Sequence, residues 1–128
     1  MKVVVNDPPR TFGVGQDGHI QLTDCAHIAL APDEQITLTT ENGGEYDIVR
    51  KAWGFYATPS LNRRLPSFGL RPVLLKSPGD TYYLLLVEQG KEAEFEEYVA
   101  REQQVIIAWL DTTEALQSLE TRRGDDAR

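Results

Sequence analysis

Two patterns of apolar spacing divide this sequence, and their order constrains the fold more than any other feature. In the first fifty residues Ile20 and Leu22, Ile28 and Leu30, Ile36 and Leu38, and Tyr46 and Ile48 each alternate with polar neighbours. A period of two buries one face and wets the other, as in an antiparallel sheet. Turn signals separate these segments. Gln16-Asp17-Gly18 lies between residues 11–15 and 19–23, and Glu41-Asn42-Gly43-Gly44 lies before Tyr46, both of the kind that closes hairpins. Ala31-Pro32-Asp33-Glu34 marks another turn, and Asp7-Pro8-Pro9 is expected to stop the short β-branched run Val3-Val4-Val5. Short strands at this spacing imply a meander that closes, at most, into a small barrel.

After residue 57 the pattern breaks at Pro59, Pro66 and Gly69. Thr58-Pro59-Ser60 reads as a helix start, with Thr58 as cap and Pro59 in the first turn, and Pro66 limits such a helix to about two turns. The last third reads strand, strand, helix, strand. Residues 72–76 and 81–88 flank Ser77-Pro78-Gly79-Asp80, and in 91–102 Phe95, Tyr98 and Val99 recur at helical spacing. Residues 104–110 are nearly all apolar, which predicts a strand that is central or covered on both faces. Asp111 and Glu114 have capping-box spacing before a short helix through Leu116 and Leu119. The expected fold is α+β: an antiparallel meander or small barrel followed by a β-β-α-β unit, in one domain over residues 1–120, with a disordered tail at 121–128.

The 128 residues carry 13 basic and 20 acidic side chains, a net charge of −7. That field repels phosphates, so a general nucleic-acid or anionic-membrane binder is disfavoured. The opening residues hold too short an apolar run for a signal peptide, and no stretch approaches the length of a membrane span. With one cysteine, Cys25, no intramolecular disulfide forms. These features fit a cytoplasmic protein.

Several motifs invite chemistry and fail on context. Gly13-Val14-Gly15-Gln16-Asp17-Gly18 fits the dinucleotide fingerprint, but residues 19–23 alternate as a strand where that fingerprint needs a helix. His19, Cys25 and His27 lie within nine residues, yet a structural zinc site needs about four ligands and no second cluster exists. They read as strand polar residues around a buried thiol. Neither a catalytic set, a metal site nor a cofactor site is assigned. An enzyme acting on a phosphorylated or nucleotide-linked sugar is the alternative, and its acid/base would have to be Asp24, His19 or His27.

Charge segregation is the feature composition hides. Residues 48–79 contain Arg50, Lys51, Arg63, Arg64, Arg71 and Lys76 and no acid, a local charge of +6 that leaves −13 elsewhere. Trp53, Phe55, Tyr56 and Phe68 lie in the same stretch. Arg forks beside a helix start suit phosphate or carboxylate, and aromatic rings stack bases or sugars. The candidate ligand site is therefore Arg50, Lys51, Trp53, Tyr56, Thr58, Ser60, Asn62, Arg63, Arg64 and Arg71. The competing reading pairs these cations with the acids of 91–102 or with Glu41, Glu45 and Asp47, and puts Trp53, Phe55 and Phe68 in the core.

The stretch from Glu45 to Arg71, above all Trp53-Gly54-Phe55-Tyr56-Ala57-Thr58-Pro59-Ser60-Leu61-Asn62, resembles small bacterial proteins of uncharacterised function associated with surface-polysaccharide gene neighbourhoods. The likeness runs from about residue 20 to 111. It implies a nucleotide sugar or a glycan-pathway enzyme as partner and carries over no catalytic residue. Taken together, these readings predict a non-catalytic binding or accessory domain. It would engage an anionic small molecule or a protein through residues 50–71 and cover its edge strands in an edge-paired homodimer. RNA or single-stranded DNA binding through the basic aromatic segment is a further alternative.

Overall fold

Alternation and turn chemistry produce strands where the sequence has them, and in this computed structural model, which describes residues 1–126, antiparallel strands dominate: 50% strand against 18% helix. The class is α+β with a β-meander. The strands form three open sheets, of two, three and three strands, and none closes into a barrel among the described residues. The chain divides into two compact units, residues 1–36 with 48–57, and residues 37–47 with 58 onward.

In the first unit, β1 (Lys2–Val14) and β2 (Ile20–Ala29) pair antiparallel as a two-stranded ribbon around the Gln16-Asp17-Gly18 turn. The prolines do not end β1, as the sequence had suggested. The register shifts between Val5 and Arg10, and the strand continues to Val14. A proline costs a ladder hydrogen bond only where its N–H is needed, and this irregular stretch of a two-stranded ribbon does not need it. Cys25 is exposed, which corrects the expectation of a buried thiol; it lies on a ribbon that has no third strand beside it. Strands β3 (Gln35–Thr39), β4 (Glu45–Lys51) and β5 (Gly54–Ala57) are neighbours in that order. The first unit holds the hairpin from Ile48↔Ala57 to Lys51↔Gly54. It is anchored by Asp33 N–H donating to Arg50 O at 2.6 Å and Arg50 N–H to Glu34 O at 2.9 Å.

The second unit contains the hydrophobic core. Strands β6 (Leu70–Ser77), β7 (Thr81–Glu88) and β8 (Val105–Trp109) form a sheet ordered β7-β6-β8, with helix α1 (Arg64–Ser67) ahead of it and α2 (Glu92–Arg101) between β7 and β8. Val73, Leu75, Val87 and Phe95 are buried together, with Leu85, Tyr98, Val99, Ile106 and Trp109 packed around them. The Phe95 ring meets Trp109 edge-on at 5.6 Å. Thus β8 is an edge strand and β6 is central, contrary to what the apolar run 104–110 implied. After α2 the chain returns to the free edge of β6, and Val105 and Ile107 stay exposed. The sheet's other face is also open, with Leu84 57% exposed opposite Leu74.

Local chemistry explains the turns. Helix α2 ends in a Schellman motif: Gln104 N–H bonds Val99 O at 2.9 Å, Gln103 N–H bonds Ala100 O at 3.2 Å, and Gln103 takes φ 55°. Helix α3 (Thr113–Asp126) starts on Thr112, whose Oγ1 accepts from Ala115 N–H at 3.2 Å. Asp111, expected as that cap, is engaged by Arg71 instead. The tail expected from residue 121 is helical to Asp126, and residues 127 and 128 lie outside the described residues.

Candidate functional site

The basic aromatic segment is divided between the units: Arg50, Lys51, Trp53 and Tyr56 belong to the first, and Thr58, Ser60, Asn62, Arg63, Arg64 and Arg71 to the second. In the first unit Ala52 and Trp53 form the turn of the β4–β5 hairpin, made tight by Gly54 at φ 147°, where a side chain would be strained. Trp53 is 72% exposed at the tip, followed by Phe55 at 66% and Tyr56 at 52%. The register pairs Phe55 with Arg50 and Tyr56 with Val49, so the two rings project from opposite faces of the hairpin. Trp53 and Phe55 are not core, which corrects that part of the competing reading, while Phe68 in the second unit is half-buried. Lys51 Nζ pairs with Asp33 at 2.6 Å, while Arg50 has a buried Nη1 with no hydrogen-bond partner.

In the second unit the expected helix start is displaced. Thr58 does not cap; its N–H donates to Asp47 O at 3.1 Å and its Oγ1 is buried without a hydrogen bond. Ser60 Oγ accepts from Arg64 N–H at 2.9 Å, ahead of a helix only four residues long that contains Pro66. Proline fits there because a first-turn residue has no intrahelical N–H bond to lose. Asn62 Nδ2 donates to Thr113 Oγ1 at 3.2 Å. Arg64 Nη2 lies 3.7 Å from Asp47, and its guanidinium sits over the half-buried Phe68 ring at 5.4 Å. Arg63 is exposed, and its side chain makes no hydrogen bond or ion pair with the described residues.

Arg71 is the most engaged cation. Its Nε donates to Asp111 Oδ2 at 2.6 Å, its Nη1 to Glu92 Oε2 at 3.2 Å, and its guanidinium covers the Trp109 ring at 4.1 Å. The Asp111 hydrogen bond, ahead of Glu92, raises the Arg71 pKa further. The N–H groups of Glu92 itself and of Gly90, then Arg71, hold the Glu92 carboxyl below the usual carboxylate range. This network ties β6 to the start of α2 and the end of β8. Lys51, Arg64 and Arg71 are therefore already matched by acids of their own chain.

A second constellation lies on the β1–β2 ribbon. Asp24 Oδ2 is 3.8 Å from Arg10 Nη2 and 3.8 Å from His27 Nε2, and Asn6 Nδ2 donates to Asp24 O at 2.9 Å. These residues, with Val5, Asp7 and Pro8, line a concavity of about 480 Å³ that contains neither His19 nor Arg63. His19 is hydrogen-bonded to Asp17 at the hairpin turn. Arg10 is not legible as a site residue in the sequence, because Asp7-Pro8-Pro9 looks like the end of a strand; its place opposite Asp24 is set by the register across the irregularity. Among the described residues no group of His, Cys, Asp and Glu is arranged to hold a metal ion, and no helix is long and apolar enough to cross a membrane.

Fold and surface together define an α+β protein of small antiparallel sheets with an aromatic hairpin exposed at its tip. No protein-family model, curated protein or solved structure matches the chain.

Proposed function

We propose that the chain is a non-catalytic binding module that engages a protein partner with the tip of the β4–β5 hairpin. What supports this reading is the exposure of Trp53, Phe55 and Tyr56 on one short hairpin, at 72%, 66% and 52%. Water penalises such surface by roughly 25 cal/mol per Å², and each ring offers on the order of 150–250 Å² to bury. Trp and Tyr are also the residues that most often dominate protein interfaces. A tip with rings on both faces suits insertion into an apolar cleft better than lying flat on a surface. The cations that would serve an anion are largely engaged elsewhere: Lys51 by Asp33, Arg64 by Asp47, Arg71 by Asp111 and Glu92. The resemblance of residues 45–71 makes a glycan-pathway enzyme the first partner to test.

A photo-crosslinking residue in place of Trp53, in the full chain and in its native cells, tests the proposal. A protein adduct that disappears when Phe55→Ala and Tyr56→Ala are added supports it. Absence of any adduct overturns it. So does saturable thermal stabilisation by phosphate or a nucleotide that Arg63→Ala abolishes, which would return the site to an anionic small molecule.

A further inference from the structure

Between its two regular stretches the β1–β2 ribbon opens into the concavity described above. From the pair Val5↔Ala26 to the pair Arg10↔Asp24, β1 uses Asn6, Asp7, Pro8 and Pro9 where β2 has Cys25 alone. The prolines carry no N–H for the ladder, so the longer strand bows outward. Asn6 Nδ2, donating to Asp24 O at 2.9 Å, holds the bow against β2. The volume of about 480 Å³ falls in the range of small-molecule sites. Val5 and Pro8 give it an apolar wall, and Asp7, Arg10, Asp24 and His27 give it charge.

These charged groups do not close on one another. Asp24 is the most covered, its side chain 27% exposed against 70% for Arg10 and 76% for His27. Arg10 Nη2 and His27 Nε2 each stop 3.8 Å from Asp24 Oδ2, beyond hydrogen-bond reach. Among the described residues no other group donates to that carboxylate, although one so covered ordinarily accepts hydrogen bonds. The Arg10 guanidinium lies over the Phe12 ring at 4.7 Å, a stacking that orients its plane and leaves its N–H edge open. Arg71 shows the contrast: its Nε and Nη1 meet their acids at 2.6 and 3.2 Å.

Two acids beside one arginine and one histidine disfavour a simple anion, and Arg10 disfavours a simple cation. From this arrangement we infer that the concavity binds a small zwitterion, a free α-amino acid with an apolar side chain. Its ammonium donates to Asp24, its carboxylate accepts from Arg10 with His27 beside it, and its side chain lies on Val5 and Pro8. Adjacent opposite charges on the ligand meet adjacent opposite charges on the ribbon, so every ion gains a charge-assisted hydrogen bond. A peptide terminus offers one charge only and satisfies half of the site. Loosening the Arg10–Asp24 contact to admit the ligand costs little, because exposed ion pairs contribute little. The site shares no residue with the aromatic hairpin, and its test is independent of that reading.

NMR titration of the isotopically labelled full chain with the standard free amino acids, leucine first, tests this. Isoamylamine and isocaproate, which each keep the leucine side chain and lack one of its charges, are run beside it with inorganic phosphate. Saturable shifts of the Asn6, Arg10, Asp24 and His27 amides are expected with leucine. Isoamylamine and isocaproate should bind about tenfold or more weakly, since each gives up one charge-assisted hydrogen bond. Asp24→Asn and Arg10→Met should each weaken leucine binding by about the same factor, with circular dichroism unchanged. Should either variant disturb the ribbon, the two one-charge analogues on wild type still decide. No shift at these amides with any amino acid overturns the inference. So do equal affinities for leucine and either analogue, phosphate bound more tightly than leucine, or folded variants that bind leucine as wild type does.

Discussion

Leu75→Ala is the perturbation that most sharply tests where the core lies. Leu75 is fully buried in the central strand β6, between Tyr83 of β7 and Ile106 of β8, in the cluster that includes Phe95 of α2. The substitution removes three carbons, which at about 0.8 kcal/mol each is about 2.4 kcal/mol of lost transfer energy. Strands on both sides and α2 above resist collapse into the gap, so a cavity term brings the cost to about 3–4 kcal/mol. For a chain of this length that lowers Tm by about 12–16 °C. Leu84→Ala, on the open face of the same sheet and 57% exposed, should cost less than about 1 kcal/mol. Urea titration followed by Trp109 fluorescence, in a Trp53→Phe background, reads both, because Trp109 packs against Phe95 in that cluster. The midpoint should move while the slope stays constant. A Leu75→Ala cost under about 1 kcal/mol, or equal costs for both variants, would refute this assignment of the sheet's two faces.

The Arg71 network and the hydrogen-bonded carboxylates set two further outcomes. Arg71→Ala should destabilise by about 1–2 kcal/mol, below the cost of breaking a fully buried pair because Arg71 and Glu92 side chains keep 27% and 34% exposure. Arg71→Lys should recover little, since an ammonium cannot bridge Asp111 and Glu92 and also stack on Trp109; thermal melts decide both. Glu34, Glu88 and Glu92 are held below their ordinary pKa, by Ala31 N–H, by the Thr40 hydroxyl, and by the N–H groups of Glu92 and Gly90 respectively. A lowered carboxyl stabilises the fold above its unfolded pKa, and that stability is lost as pH falls through the folded value. Melts from neutral pH downward should therefore show Tm falling below about pH 4.5, and the gap between wild type and Glu92→Gln should close over that range. A gap that widens on acidification would contradict this sign.

Much of the architecture is written in local chemistry. Asp17-Gly18 and Asn42-Gly43 mark hairpins because few residues other than glycine accept their backbone angles, and Phe95, Tyr98 and Val99 share a face because a helix repeats every 3.6 residues. The candidate site was legible only as a stretch of residue types. Charge segregation shows six cations without acids between residues 48 and 79 and offers Asp47 and the acids of 91–102 as partners, which Arg64–Asp47 and Arg71–Glu92 bear out. It does not show that Asp33 meets Lys51 or that Asp111 meets Arg71, since those pairings depend on how distant parts of the chain are brought together.

Strand existence, turn positions and the α+β class thus come from the sequence by itself, because they depend on neighbours a few residues apart. Which strand is central, whether Trp53 is core or surface, and that Arg10 stands opposite Asp24 across an irregular strand were decided only in the tertiary structure. Those outcomes depend on which free edge a returning strand meets and on the register across a shift, and neither is encoded within reach of a local pattern.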